Sequence, residues 1–189
     1  DQIPVIQHHY TPPNSVWRFF DSPAFWREQI KRLWLEKQRL ACFCASRSEA
    51  KTLRRWLQAL RPNAKVLAIH GESEDDEIAT LGNVNESWAA YDAVLFTTSA
   101  GGGVSFDIEG HFDRVCVWGL NAPTSLMASE YTQGAARIRH PKNREVLAYI
   151  PSKDGTPKSI EELRSGLRDK EKRTLEALRS VGEESVISG

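Results

Sequence analysis

The chain has 189 residues, 40% apolar and 26% charged, with 25 basic side chains against 25 acidic ones. That length buries a real core in one globular domain with an appendage, and six tryptophans and seven phenylalanines exclude a disordered polymer. A net charge of zero excludes a polycationic sheath for nucleic acid, while leaving room for a local basic face.

Residues 1–22 read as a linker or edge segment. Pro12 and Pro13 break any helix there, and Ile3-Pro4-Val5-Ile6 is a candidate edge strand. Residues 23–38 follow as a helix: Ser22 is placed to cap it, Pro23 suits its first turn, and Phe25, Trp26, Ile30, Leu33 and Trp34 recur at helical spacing. Residues 40–45 form a short apolar run flanked by charge, the pattern of a buried strand. Residues 49–60 are amphipathic, with Leu53, Trp56, Leu57 and Leu60 on one face. Residues 66–69 are a second strand. Residues 72–91 are acidic and irregular, with short helical turns, and the acidic run 72–77 reads as a solvated loop. Residues 93–96 and 114–118 are further strands, residues 124–136 a helix, and residues 145–150 a fifth strand. Beyond Pro151 comes a polar linker, then a highly charged helix over 159–180. The domain limits are therefore 23–151 for the globular unit and 152–189 for a helical tail.

The cysteines, Cys42, Cys44 and Cys116, each lie in an apolar run and read as reduced core thiols; no metal site is expected, because the pair at 42 and 44 lacks a partner pair. No apolar run approaches the ~20 residues of a membrane span, and no secretory signal is present, so an intracellular soluble protein is expected. The chain opens on Asp1 rather than methionine and reads as a piece of something longer.

Strands alternating with helices predict an α/β fold with a mainly parallel sheet covered on both faces. In such sheets ligands bind beyond the carboxyl ends of the strands. Ser46 and Arg47, His70 and Gly71, and the stretch 97–103 all directly follow predicted strands, and so should gather at one edge. Within 97–107, Gly101, Gly102 and Gly103 let a backbone approach a ligand closely, and Thr97, Thr98 and Ser99 add hydroxyls. The alternative is a plain flexible connection. In Tyr131-Thr132-Gln133-Gly134-Ala135-Ala136-Arg137-Ile138-Arg139-His140, two arginines close to a chain reversal suit bidentate grip on phosphate. The alternative there is solvated surface arginine. His140-Pro141 ends the helix near Arg137.

In order and rough spacing, the segments at 46–47, 69–71, 97–107 and 133–139 resemble motifs IV, IVa, V and VI of superfamily 2 helicases. Those motifs belong to the second, C-terminal RecA-like domain of such motors, a three-layer fold of the P-loop NTPase type. The wording Asn83-Val84-Asn85-Glu86-Ser87-Trp88, Gly103-Val104-Ser105-Phe106-Asp107 and Gln-x-x-x-Arg-x-Arg is similar to the replication-origin-binding helicases of herpesvirus type. The resemblance implies that Arg137 and Arg139 act on the γ-phosphate of ATP, at least one as an arginine finger, with Gln133 organising the site. It implies that Gly103, with Gly102 beside it, lies near the ribose or phosphates and that Asp107 holds the loop. Ser46, Arg47, His70, Gly71, Thr97 and Thr98 match positions facing the nucleic-acid backbone, single-stranded DNA being the expected partner in a role in DNA replication.

Two departures stand out: Ala136 replaces the usual glycine before the first motif VI arginine, and Ser105 stands where many such motors carry aspartate. The chain has no Gly-x-x-x-x-Gly-Lys-Ser/Thr phosphate loop. ATP with Mg2+ is thus expected to be held mainly by a RecA-like domain upstream of Asp1, and the chain alone is expected not to hydrolyse ATP. Competing readings are a degenerate helicase-like module that binds nucleic acid or a protein, and an unrelated α/β enzyme holding a phosphorylated small molecule.

Overall fold

A computed structural model describes residues 15–101, 103–119 and 128–151. The candidate strand at Ile3 to Ile6, the first residues of the 124–136 helix, Gly102 and the 152–189 tail lie outside the described residues.

Six strands form one sheet: β1 (Val16–Phe19), β2 (Leu40–Cys44), β3 (Val66–Ile69), β4 (Ala93–Phe96), β5 (Arg114–Trp118) and β6 (Glu145–Tyr149), in the order β1-β6-β5-β2-β4-β3. Every neighbouring pair is parallel. β2, β3 and β4 are buried along their whole length, as strands covered on both faces must be, which explains their uninterrupted apolar wording. β1 was not expected from the sequence. It is largely exposed and, among the described residues, joins the sheet through β6, with Val16 opposite Glu145 and Phe19 opposite Ala148.

The period of two along the strands divides the core. One face presents Leu40, Cys42, Cys44, Leu95 and Cys116 to α1 (Pro23–Leu35) and α2 (Arg47–Leu60). The other presents Ala41, Phe43, Phe96, Val117 and Ala148 to α4 (Val84–Trp88), the loop carrying Phe106 and Phe112, and α5 (Ala128–Ala135). All three cysteines are buried free thiols on the α1–α2 face, and burial raises Cys44 well above its ordinary value.

α1 starts where Ser22 accepts from the Ala24 N–H with Pro23 in its first turn, and it buries Trp26, Ile30, Leu33 and Trp34. Phe25, expected on that buried face, is 70% exposed instead. The acidic stretch holds two short helices, α3 (Asp75–Ala79) and α4, the second capped by Asn83 and sealed into the core by Trp88. No helix among the described residues is long and apolar enough to cross a membrane.

Candidate nucleotide and nucleic-acid site

The parallel sheet brings the carboxyl ends of β2, β3 and β4 to one edge, so Ser46, Arg47, His70, Gly71, Thr97 and Thr98 do gather there. Their side chains are not equally available. Ser46 is the N-cap of α2, its hydroxyl oxygen accepting from the Glu49 N–H at 3.2 Å. His70 is buried, and its Nδ1 accepts from the Glu72 N–H at 3.2 Å. Burial first, then the Lys51 charge, holds its imidazole below the ordinary value. Thr97 is also buried; its hydroxyl accepts from the Ser99 N–H at 3.3 Å and points its proton to the Ile69 carbonyl. Arg47, Gly71 and Thr98 are exposed. An ideal Cβ on Gly71 would stand 3.4 Å from the Ser99 hydroxyl, so the β3 and β4 ends approach closely. His70 and Thr97 thus hold this edge together from inside through these hydrogen bonds.

The second cluster joins the 103–107 and 133–139 segments. α5 stops at Ala135, so Gln133 and Arg137 do not share a continuing helical face. The chain then turns, and Ile138 forms a parallel bridge with Phe106. Around that bridge the Phe106 N–H donates to the Arg137 carbonyl at 2.8 Å and the Arg139 N–H to the Phe106 carbonyl at 3.0 Å. Side chains tie the same two segments. Arg139 Nε donates to Ser105 Oγ at 3.0 Å, Ser105 donates to Asp107 Oδ1 at 3.0 Å, and the Asp107 N–H donates to Asn85 Oδ1 at 2.8 Å. Asn85 comes from α4 and was not among the expected site residues. Its only trace in the sequence is the helicase-like wording around it.

Arg137 is half-buried, and its Nη1 has no hydrogen-bond partner among the described residues; burial lowers its affinity for its proton without discharging so basic a group. A buried guanidinium N–H without an acceptor is costly, so the donor set fits an incoming anion. Gln133 and Arg139 are exposed and line a groove of about 420 Å³ with Trp17, Val115, Ile138 and Val146. Gly103, exposed at φ 87°, lines a separate open depression of about 470 Å³ with Asn85 and Ser105. Gly101 also has positive φ, so two of the three expected glycines adopt the backbone conformation for which glycine is favoured.

No family model matches the sequence, and no curated protein is significantly similar to it. Solved structures do match. The C-terminal domain of Dbp5 from S. cerevisiae, bound to Gle1 and IP6, superposes with a TM-score of 0.50 at 15% identity, over 74% of this chain and 76% of that one. The fold is RecA-like. The Mycobacterium smegmatis helicase Lhr, solved with ssDNA and AMP-PNP, gives 0.50 at 18% identity, over 72% of this chain and 19% of Lhr. The C-terminal part of the Fun30 ATPase domain gives 0.45 at 14% identity, and the chain covers 40% of it. The two structures at a TM-score of 0.50 share the fold of this chain, and the RecA-like expectation is met. None of them singles out the origin-binding group.

Proposed function

We propose that the chain is the second motor domain of an ATP-dependent nucleic-acid helicase or translocase, acting on single-stranded DNA, with a role in replication as the origin-binding resemblance implies. The observation that carries this reading is Arg137, a half-buried guanidinium with an unpartnered Nη1, beside an Arg139 tethered through Ser105 to Asp107. ATP with Mg2+ would supply the phosphoanhydride whose cleavage drives the cycle, and a first RecA-like domain of the parent chain would provide its phosphate loop.

Within that frame, Arg137 meets the developing negative charge with donors already desolvated, where each bond counts for more than in water. Arg139 is held in place by Ser105, whose hydroxyl accepts its Nε–H. Gln133 stands at the same groove and positions the attacking group or its neighbours. Gly103 and Asp107 keep the loop close to the nucleotide. At the sheet edge, Arg47, Gly71 and Thr98 grip the strand's phosphates without reading bases, while Ser46, His70 and Thr97 hold the edge in shape.

The test is Arg137→Ala in the longer chain that includes the first domain. ATPase turnover is expected to fall by about a thousandfold, the scale of arginine-finger loss, with single-stranded DNA binding retained. Undiminished turnover would remove the arginine-finger reading and favour a degenerate module that only binds.

A further inference from the structure

The acidic run after β3 is not a freely solvated loop. The carboxylate of Glu72 is shared by two cations of α2: Arg47 Nη1 pairs with Oε1, and Lys51 Nζ lies 3.0 Å from Oε2. One helical turn further on, Arg54 Nη1 pairs with Glu77 at 2.5 Å. Arg47, Lys51 and Arg54 recur at helical spacing, so they form one basic stripe along α2, beginning at the edge where nucleic acid is proposed to run. The backbone presenting Glu72 is fixed. The His70 N–H donates to Ser73 Oγ at 3.0 Å, Ser73 Oγ donates to the Ala68 carbonyl at 3.0 Å, and the Glu72 N–H is held by His70 Nδ1. A carboxylate bridging two cations has the charge and the oxygen spacing of a phosphodiester at the same spot.

We infer that Glu72 is a built-in competitor for phosphate, which occupies Arg47 and Lys51 until a nucleic-acid backbone displaces it. This rests on the nucleic-acid reading above and adds how that edge is regulated. Both pairs are about half exposed, and ion pairs of that kind are weak. A polyphosphate that also releases condensed counterions outcompetes them, whereas an isolated anion gains little over Glu72. The edge therefore favours a continuous strand over scattered small phosphates, and it gives up affinity to do so.

The experiment is anisotropy titration of a labelled oligothymidylate with the full 189-residue chain across a salt series. Glu72→Gln keeps the shape and removes the charge. It is expected to bind about three- to tenfold more tightly, with a salt slope steeper by about 0.7 for each phosphate contact recovered. Glu36→Gln, the same charge change at the C-cap of α1, is expected to leave both quantities near wild type. Adding Arg47→Ala and Lys51→Ala to Glu72→Gln is expected to cancel the gain. Unchanged or weaker binding by Glu72→Gln, while Arg47→Ala with Lys51→Ala weakens the wild type, overturns the competitor role and leaves the nucleic-acid reading standing. No binding by any form removes both.

Discussion

At the scale of single residues, Gly134 shows how a site residue and a core residue constrain each other. It sits one turn before Arg137 in α5, where an ideal Cβ would come within 2.5 Å of the Phe43 ring. Phe43 is buried and packed against Phe96 and Tyr131, so it has little room to yield. Gly134→Ala gains about 1 kcal/mol of helix propensity but overpacks this contact by about 1–3 kcal/mol, so chemical denaturation should show net loss of stability. A stabilised variant would mean that the helix lies further from the sheet. Two histidines make a second residue-scale prediction. Burial is the first cause lowering both His70 and His111, with the neighbouring Lys51 and Arg39 charges acting the same way. The folded chain therefore binds fewer protons than the unfolded one, whose imidazoles titrate near ~6.5, and stability falls as pH drops below that value. Asp113, held low mainly by its bond from Lys142 against an opposing burial effect, contributes only in the more acid window below ~4. The urea midpoint should thus be lower at pH 5.5 than at pH 7.5; a higher midpoint at pH 5.5 would contradict neutral buried imidazoles.

At the scale of elements, what was legible depended on how local the signal was. β2 to β6 were readable because buried parallel strands are uninterrupted apolar runs, and α1 and α2 because capping serines and apolar periodicity coincide. β1 was not, because Val16 and Phe19 are exposed and its partner strand among the described residues, β6, lies more than a hundred residues on. The exposure of Phe25, next to the buried Trp26, likewise has no marker in a stretch so rich in aromatics. For the site, the strand ends were legible and the side-chain directions were not. Nothing local says that Thr97 turns inward, that Glu72 caps the charge of Arg47 and Lys51, or that Asn85 reaches Asp107 across 22 positions. That last contact makes α4 a support for the loop carrying Ser105. Asn85→Ala leaves the Asp107 N–H without its acceptor, at a cost of about 1 kcal/mol, and loosens the Ser105–Arg139 tether behind it. In the two-domain protein proposed above, turnover should drop more than single-stranded DNA affinity; an equal loss in both would point to general unfolding instead.

At the scale of the whole molecule, the account rests on a division of labour. One sheet carries the edge at the ends of β2, β3 and β4 that is proposed to grip phosphates, and a guanidinium cluster where the turn after α5 meets the loop carrying Phe106. The sequence holds no Gly-x-x-x-x-Gly-Lys-Ser/Thr phosphate loop, so the proposed function assigns that role to a first domain. Under the proposed function, the catalytic site is completed only across a cleft, against another domain. The most direct measurement is steady-state ATPase activity, with and without single-stranded DNA, of the 189-residue chain alone and of the same chain joined to the first RecA-like domain of its parent. The account predicts no turnover by the chain alone and DNA-stimulated turnover only when both domains are present. Turnover by the chain alone, or none with both domains joined, would contradict it.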